Sequence, residues 1–198
     1  MTHQNGSKVS IEQGGTNDVH AETVSIKQGG ARDVRATEVT ITQGGANEVQ
    51  GEQVWLRQAG AQQVTAKEVT VRQGGVVQLT ADQATLTQGG IVLAQTEEAI
   101  CNSSGIGAVL ANGNVMLDQS LARGIITRGA VTVDQSAVGA IITREAKVTN
   151  SGIGILIAAK VEGDVTPLLT IKEAVVFGAA TGLVTGLVLW LKAKLLGE

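Results

Sequence analysis

The chain has 198 residues, 43% of them apolar, with a formal net charge of -3 and a mean hydropathy of +0.17. That balance offers no basic field to a nucleic acid, and the aromatic residues, Trp55, Phe177 and Trp190, are too few for an ordinary globular core. The single cysteine, Cys101, excludes an internal disulfide and leaves the redox compartment open.

In chain order, residues 1–8 (MTHQNGSK) are polar; they read as a tail or cap and lack the apolar run of a secretory signal. From Val9 to residue 98 a fifteen-residue motif repeats six times, starting at Val9, Val24, Val39, Val54, Val69 and Ala84. Each unit reads roughly V-[S/T]-[I/L/V]-x-Q-G-G-x-x-x-V-x-A-x-[E/Q]. Four units of sixteen residues are expected over 99–162, starting at Ala99, Val115, Val131 and Lys147, with Gln-Ser or Ser-Ser where Gly-Gly stood. A short fixed period with alternating apolar residues predicts an all-β, parallel β-solenoid of ten coils, each coil stacked on the last.

Within a unit, Val24, Ile26 and Gln28 alternate with Ser25 and Lys27, which places the first set inward on a strand. Gly29-Gly30 turns the chain, and Val34 and Ala36 form a second inward strand. Coils about 4.8 Å apart stack like residues into columns. The column Gln13, Gln28, Gln43, Gln58, Gln73, Gln88, then Ser103, Gln119, Gln135 and Ser151, is expected to form an inward amide ladder, the competing reading being a corner column that partly faces water. Cys101 falls in the column of Ile11, Ile26 and Ile41 and reads as buried packing.

Tandem short coils of the type Val24-Ser25-Ile26-Lys27-Gln28-Gly29-Gly30 resemble the parallel β-solenoid of bactofilins, polymer-forming cytoskeletal proteins that attach to bacterial membranes. The resemblance covers residues 9–162 in the style of repeat, and it implies polymerisation without assigning it to particular residues. The rhythms of hexapeptide acyltransferases and pentapeptide-repeat proteins are not present.

Residues 163–198 carry the next element. Thr166-Pro167 reads as a helix start, and residues 174–191 (AVVFGAATGLVTGLVLWL) contain no charge, near the lower length for spanning a bilayer. Trp190 beside Lys192 and Lys194 suits an interfacial anchor, and Ala174, Gly178, Gly182 and Gly186 form a small-residue stripe for helix packing. The expectation is a single-pass membrane anchor with the solenoid in the cytoplasm, although the two lysines beyond the segment oppose that orientation.

No catalytic set emerges. His3 and His20 lack the spacing of metal ligands, the glycine pairs lack the lysine of a phosphate loop, and Asp118 with Asp134, expected between Asn102 and Asn150, reads as solvated surface. No cofactor, metal or small-molecule substrate is expected.

Two surface features suggest contacts. Trp55 stands in an outward column of Ser10, Ser25, Thr40, Thr70 and Thr85, either as a partner anchor or lying flat on the threonines. A second column runs His20, Arg35, Gln50, Thr65, Thr80, Gln95, Leu110, Ile126, Ile142, Ala158, and turns apolar towards its end. The leading expectation is a non-enzymatic, membrane-anchored scaffold that self-assembles into homo-oligomers, its partners being lipid and its own copies. A module recruiting another membrane protein is the alternative, and a membrane-embedded oligomer or pore a third.

Overall fold

The computed structural model describes residues 3–167, with side chains described for residues 6–163. Among the described residues the secondary structure is strand throughout: β1 (His3–Ile11), β2 (Gly14–Lys27), β3 (Gly29–Thr42), β4 (Gly45–Gln50), β5 (Gln53–Arg57), β6 (Gly60–Arg72), β7 (Gly75–Thr87), β8 (Gly90–Asn102), β9 (Gly105–Ala111), β10 (Val115–Asp118), β11 (Leu121–Thr127), β12 (Ala130–Asp134) and β13 (Ala137–Pro167). All pairings are parallel, and each runs between a residue and its equivalent one coil later, such as Val24 with Val39 and Ile26 with Ile41. The result is a parallel β-solenoid of about ten coils.

The core is built from stacked columns. Val24, Val39 and Val54 form one, Ile26, Ile41 and Leu56 a second, and Val34, Val49 and Val64 a third; all are fully buried or nearly so. Branched aliphatic side chains suit this interior because neighbours one coil away are held at strand spacing, where short stiff side chains interdigitate without voids. A fourth inward column, Ala31, Ala46, Ala61, Val76, Ile91 and Ile106, continues through Ala122, Val138 and Ile153. Ala31 and Val34 are both inward although three residues apart, because the chain bends between them. Ala36 is half-buried and packs against the core, and its column is buried further along, at Ala81, Thr96 and Ala111.

Two boundaries bear on the sequence expectation. Residues 3–8 follow the cap reading and not the tail reading: β1 pairs His3 with Asp18 and Gly6 with Ala21, so these polar residues add to the ladder of the first coil. The sixteen-residue period holds for two coils, not four. Ala99 pairs with Val115 and Val115 with Val131, but Val131 pairs with Ala146, fifteen residues on. Thr96 still pairs with Ala111, so the added residue lies in the corner Asn112-Gly113-Asn114, and the corner Arg144-Glu145 removes it again.

The corner after each first strand is the largest correction. The glutamines do not face inward; they are exposed, and Gln28, Gln43, Gln58, Gln73, Gln88, Ser103, Gln119, Gln135 and Asn150 have φ between 44° and 55°. The turn is therefore made by the glutamine in the left-handed region, at about 1–2 kcal/mol for a residue with a β-carbon. Outside the solenoid the amides nevertheless form a ladder: Nε2 of Gln13 donates to Oε1 of Gln28 at 3.4 Å, and the pattern continues through Gln43, Gln58 and Gln73 to Gln88.

The first glycine of each pair has a different task. A β-carbon at Gly44 would sit 2.0 Å from the carbonyl oxygen of Gly29, and one at Gly74 2.1 Å from that of Ala59. Further along, this column becomes Ser104, Ser120, Ser136 and Ser151, all buried. Each hydroxyl donates to the carbonyl two residues back, as Ser120 does to Asp118 at 2.8 Å. Each accepts the backbone N–H of the coil before, as from Ser104 at 3.1 Å. Buried hydroxyls thus satisfy backbone donors where glycine contacts gave way.

Candidate functional site

The stacking of coils makes every outward position a surface column, so the candidate sites are faces of the solenoid and not clefts. The apolar column expected from sequence is present in exposed form. Leu110, Ile126 and Ile142 stand in register and are 39%, 49% and 43% exposed. Because the period has returned to fifteen, the next member is Ile157, 57% exposed, in place of Ala158. This column itself lines a shallow groove of about 780 Å³, from Thr80 and Gln95 to Leu110, Ile126 and Ile142, with Thr127 next to it.

Trp55 belongs to a different face. It pairs with Thr40 on one side and Thr70 on the other and is half-buried between them. The same column continues past Thr85 to Ile100 and Met116, which are 43% and 48% exposed. The sequence reading missed these two, although both follow from carrying the column of Trp55 across the change of period. At the corner that follows the glycine pair, Val77, Val92 and Ile155 are exposed, while Val76, Ile91 and Ile153 point inward.

The chemistry-bearing residues do not converge. Among the described residues no group of three or more His, Cys, Asp or Glu side chains could hold a metal ion. His20 is exposed on its own column. Asp118 and Asp134 are adjacent, but the residue beyond Asp134 is Thr149, because Asn150 occupies the left-handed corner. Cys101 is buried between Leu86 and Leu117, and burial pushes its thiol up to about 12, so it stays protonated and unreactive at neutral pH.

Ion pairs link neighbouring coils and, at Lys160, also residues of one strand. Lys67 meets Glu52 at 2.7 Å, and Lys160 meets Glu145 at 2.9 Å and Glu162 at 2.6 Å. These partners raise both lysines above the ordinary range, first through their hydrogen bonds, and Lys160 in turn lowers Glu162. All are exposed, so screening keeps their contribution to stability small.

The anchor residues Ala174, Gly178, Gly182, Gly186 and Trp190 lie outside the described residues. Among the described residues no helix is long and apolar enough to cross a membrane. Neither a protein-family model, nor a curated protein, nor a solved structure matches the chain. The solenoid fold stands on the register of its strands, and the likeness to bactofilins remains one of repeat style.

Proposed function

We propose that this protein is a non-enzymatic, membrane-anchored β-solenoid that self-assembles as a structural scaffold. The observation that carries the reading is the exposed stripe of Leu110, Ile126, Ile142 and Ile157, four large apolar residues aligned on consecutive coils. A contiguous apolar surface left in water lowers its free energy by meeting another surface. A second copy presents the same stripe, and rods held by the apolar segment 174–191 would bring such stripes together at a shared height. The mechanism is mechanical: a stiff rod of about 45 Å, from coils about 4.8 Å apart, joined side to side.

The test is the assembly state of the full chain in detergent, read by light scattering. Ile126→Lys with Ile142→Lys should lower the mass, and so, separately, should Gly182→Leu in the small-residue stripe. A particle of unchanged mass in both cases removes the scaffold reading. Deletion after Gly163 should move the protein from the membrane fraction to the soluble one; continued pelleting with membranes would place lipid contact on the solenoid itself.

The groove lined by the stripe favours a second reading. A furrow of about 780 Å³ suits a segment of another protein better than a flat copy of the same face. In that case the solenoid is a recruitment module, and the lysine pair would abolish capture of the partner while leaving the particle monomeric.

A further inference from the structure

The face that carries Trp55 is electrically polarised across its width. Its outward residues form three columns, because residues two apart on a strand point the same way. The centre holds Ser25, Thr40, Trp55, Thr70, Thr85, Ile100 and Met116. One edge holds Glu38, Glu68 and Glu98 with Gln53 and Gln83 between them. The other edge holds Lys27, Arg57 and Arg72 with Thr42, Thr87 and Asn102; the polarity is confined to the coils from Ser25 to Ile100, because this edge ends at Asp118 beside Met116 and the acidic edge begins at Lys8 in the first coil.

Glu38, Glu68 and Glu98 on one edge and Lys27, Arg57 and Arg72 on the other are exposed. Glu68 and Arg72 lie on one strand four residues apart, about 13 Å at the rise of a strand, which exceeds the roughly 8 Å screening length of physiological salt. The two edges therefore do not neutralise each other within one chain. The ion pairs of the described residues lie elsewhere; Lys67, next to Glu68 in sequence, is held by Glu52.

We propose that this face is a self-complementary docking surface for a second copy of the chain, with the two solenoids parallel. Two opposed copies of a face can be related by a two-fold axis in the plane between them. When that axis runs along the solenoid, each edge meets the opposite edge of its mate at the same height. Glu68 then faces Arg72 of the second copy, with Arg57 of the second copy one coil away, and Trp55 meets Trp55 at the centre. When the axis runs across the solenoid, the rods are antiparallel and each edge meets itself, acid against acid and base against base. The charge pattern thus selects the parallel pair.

The contact has the anatomy of an interface: an aromatic and apolar centre of Trp55, Ile100 and Met116 between charged rims. Seven coils by the width of the strand give roughly 34 Å by 15 Å, about 500 Å² on each partner and about 1,000 Å² in all. That is the lower bound of a specific interface, so the pair should be weak and sensitive to salt. This surface is separate from the Leu110 stripe, and the inference stands whether or not the chain meets lipid.

The experiment is a charge exchange. In the full chain carrying Ile126→Lys and Ile142→Lys, which silences the Leu110 stripe, Arg57→Glu with Arg72→Glu makes both edges acidic, and Glu38→Lys with Glu68→Lys makes both basic. Each variant alone should lose the self-association seen by sedimentation at low salt, and an equimolar mixture should regain it as a one-to-one pair that high salt dissolves. Variants that associate like the parent, or a mixture that stays apart, overturn the proposal. Thr85→Cys should give a disulfide-linked dimer, as the parallel axis brings equal positions together. Cross-linking found only between Ser25→Cys and Thr85→Cys would mean an antiparallel pair and would also overturn it. Because the Ile126→Lys, Ile142→Lys variant should keep this contact, its behaviour separates failure here from failure of the scaffold reading.

Discussion

Ile125 and Ile126 are consecutive in sequence and face opposite directions, so replacing each by alanine divides the fold from the proposed function. Ile125 is fully buried between Val109 and Ile141, whereas Ile126 is 49% exposed between Leu110 and Ile142. Ile125→Ala removes three buried carbons, about 2.4 kcal/mol at roughly 0.8 kcal/mol for each. The cavity left in a core that stacked neighbours prevent from collapsing adds about 1 kcal/mol or more. The expected cost is about 3–4 kcal/mol, seen as a lower denaturant midpoint with little change in assembly below the transition. Ile126→Ala removes the same carbons from a half-exposed site, so its cost in the isolated chain should stay below about 1 kcal/mol, while the assembled mass falls. Unfolding by circular dichroism and mass by light scattering on the same samples read the two effects. Equal destabilisation by both substitutions, or a loss of assembly from Ile125→Ala alone, would refute the assignment of inward and outward columns to separate tasks.

Three further outcomes follow from the corners and the core. The Cys101 thiol titrates near 9.0 when unperturbed and about 12 in the folded chain, so the unfolded chain releases its proton first as pH rises. Stability should be unaffected by this group below pH 9, then fall by up to about 1.4 kcal/mol per unit between the two values, a slope that Cys101→Ala should remove in pH-dependent urea titrations. Ser120→Ala strands the buried N–H of Ser104 and should cost about 1–3 kcal/mol by the same unfolding assay. At Gln43, with φ of 55°, Gln43→Val should destabilise by more than about 1 kcal/mol, since β-branching adds to the cost glutamine already bears in the left-handed turn, and Gln43→Gly by less, since glycine relieves that cost; equal thermal midpoints would show that the turn is not strained.

The period, the parallel class and the burial of Val24, Ile26, Val34 and Cys101 were legible in the sequence, because core columns repeat one residue type at one spacing. The glutamines were not. Period-two alternation extended one step too far put Gln28 inward, while the left-handed turn begins at that residue and carries its side chain outside. An amide repeated in every coil signals a ladder but not the side of the wall on which the ladder lies. Ala31 was missed for the converse reason: a bend between two inward residues spaces them by three, which alternation cannot express. The return to a fifteen-residue period was hidden because Ala146 and Lys147 are adjacent ahead of Val148, and only strand register shows that Ala146 is the one opposite Val131. For the face of Trp55, the charge columns become visible only after the register is known, since Glu68 and Arg72 look like unremarkable neighbours on a line of text.

In this arrangement backbone hydrogen bonds point along the axis, and each coil is bonded only to the coils before and after it. The chain enters the stack at β1 and leaves it at β13, so tension applied between His3 and Pro167 loads the outermost bonds first. Coils would peel away singly from either end, each releasing about 50 Å of extended chain at about 3.3 Å per residue. Pressure from the side, in contrast, meets a wall several strands wide whose bonds are all loaded together. The same solenoid is therefore soft when its ends are pulled and stiff when it is bent.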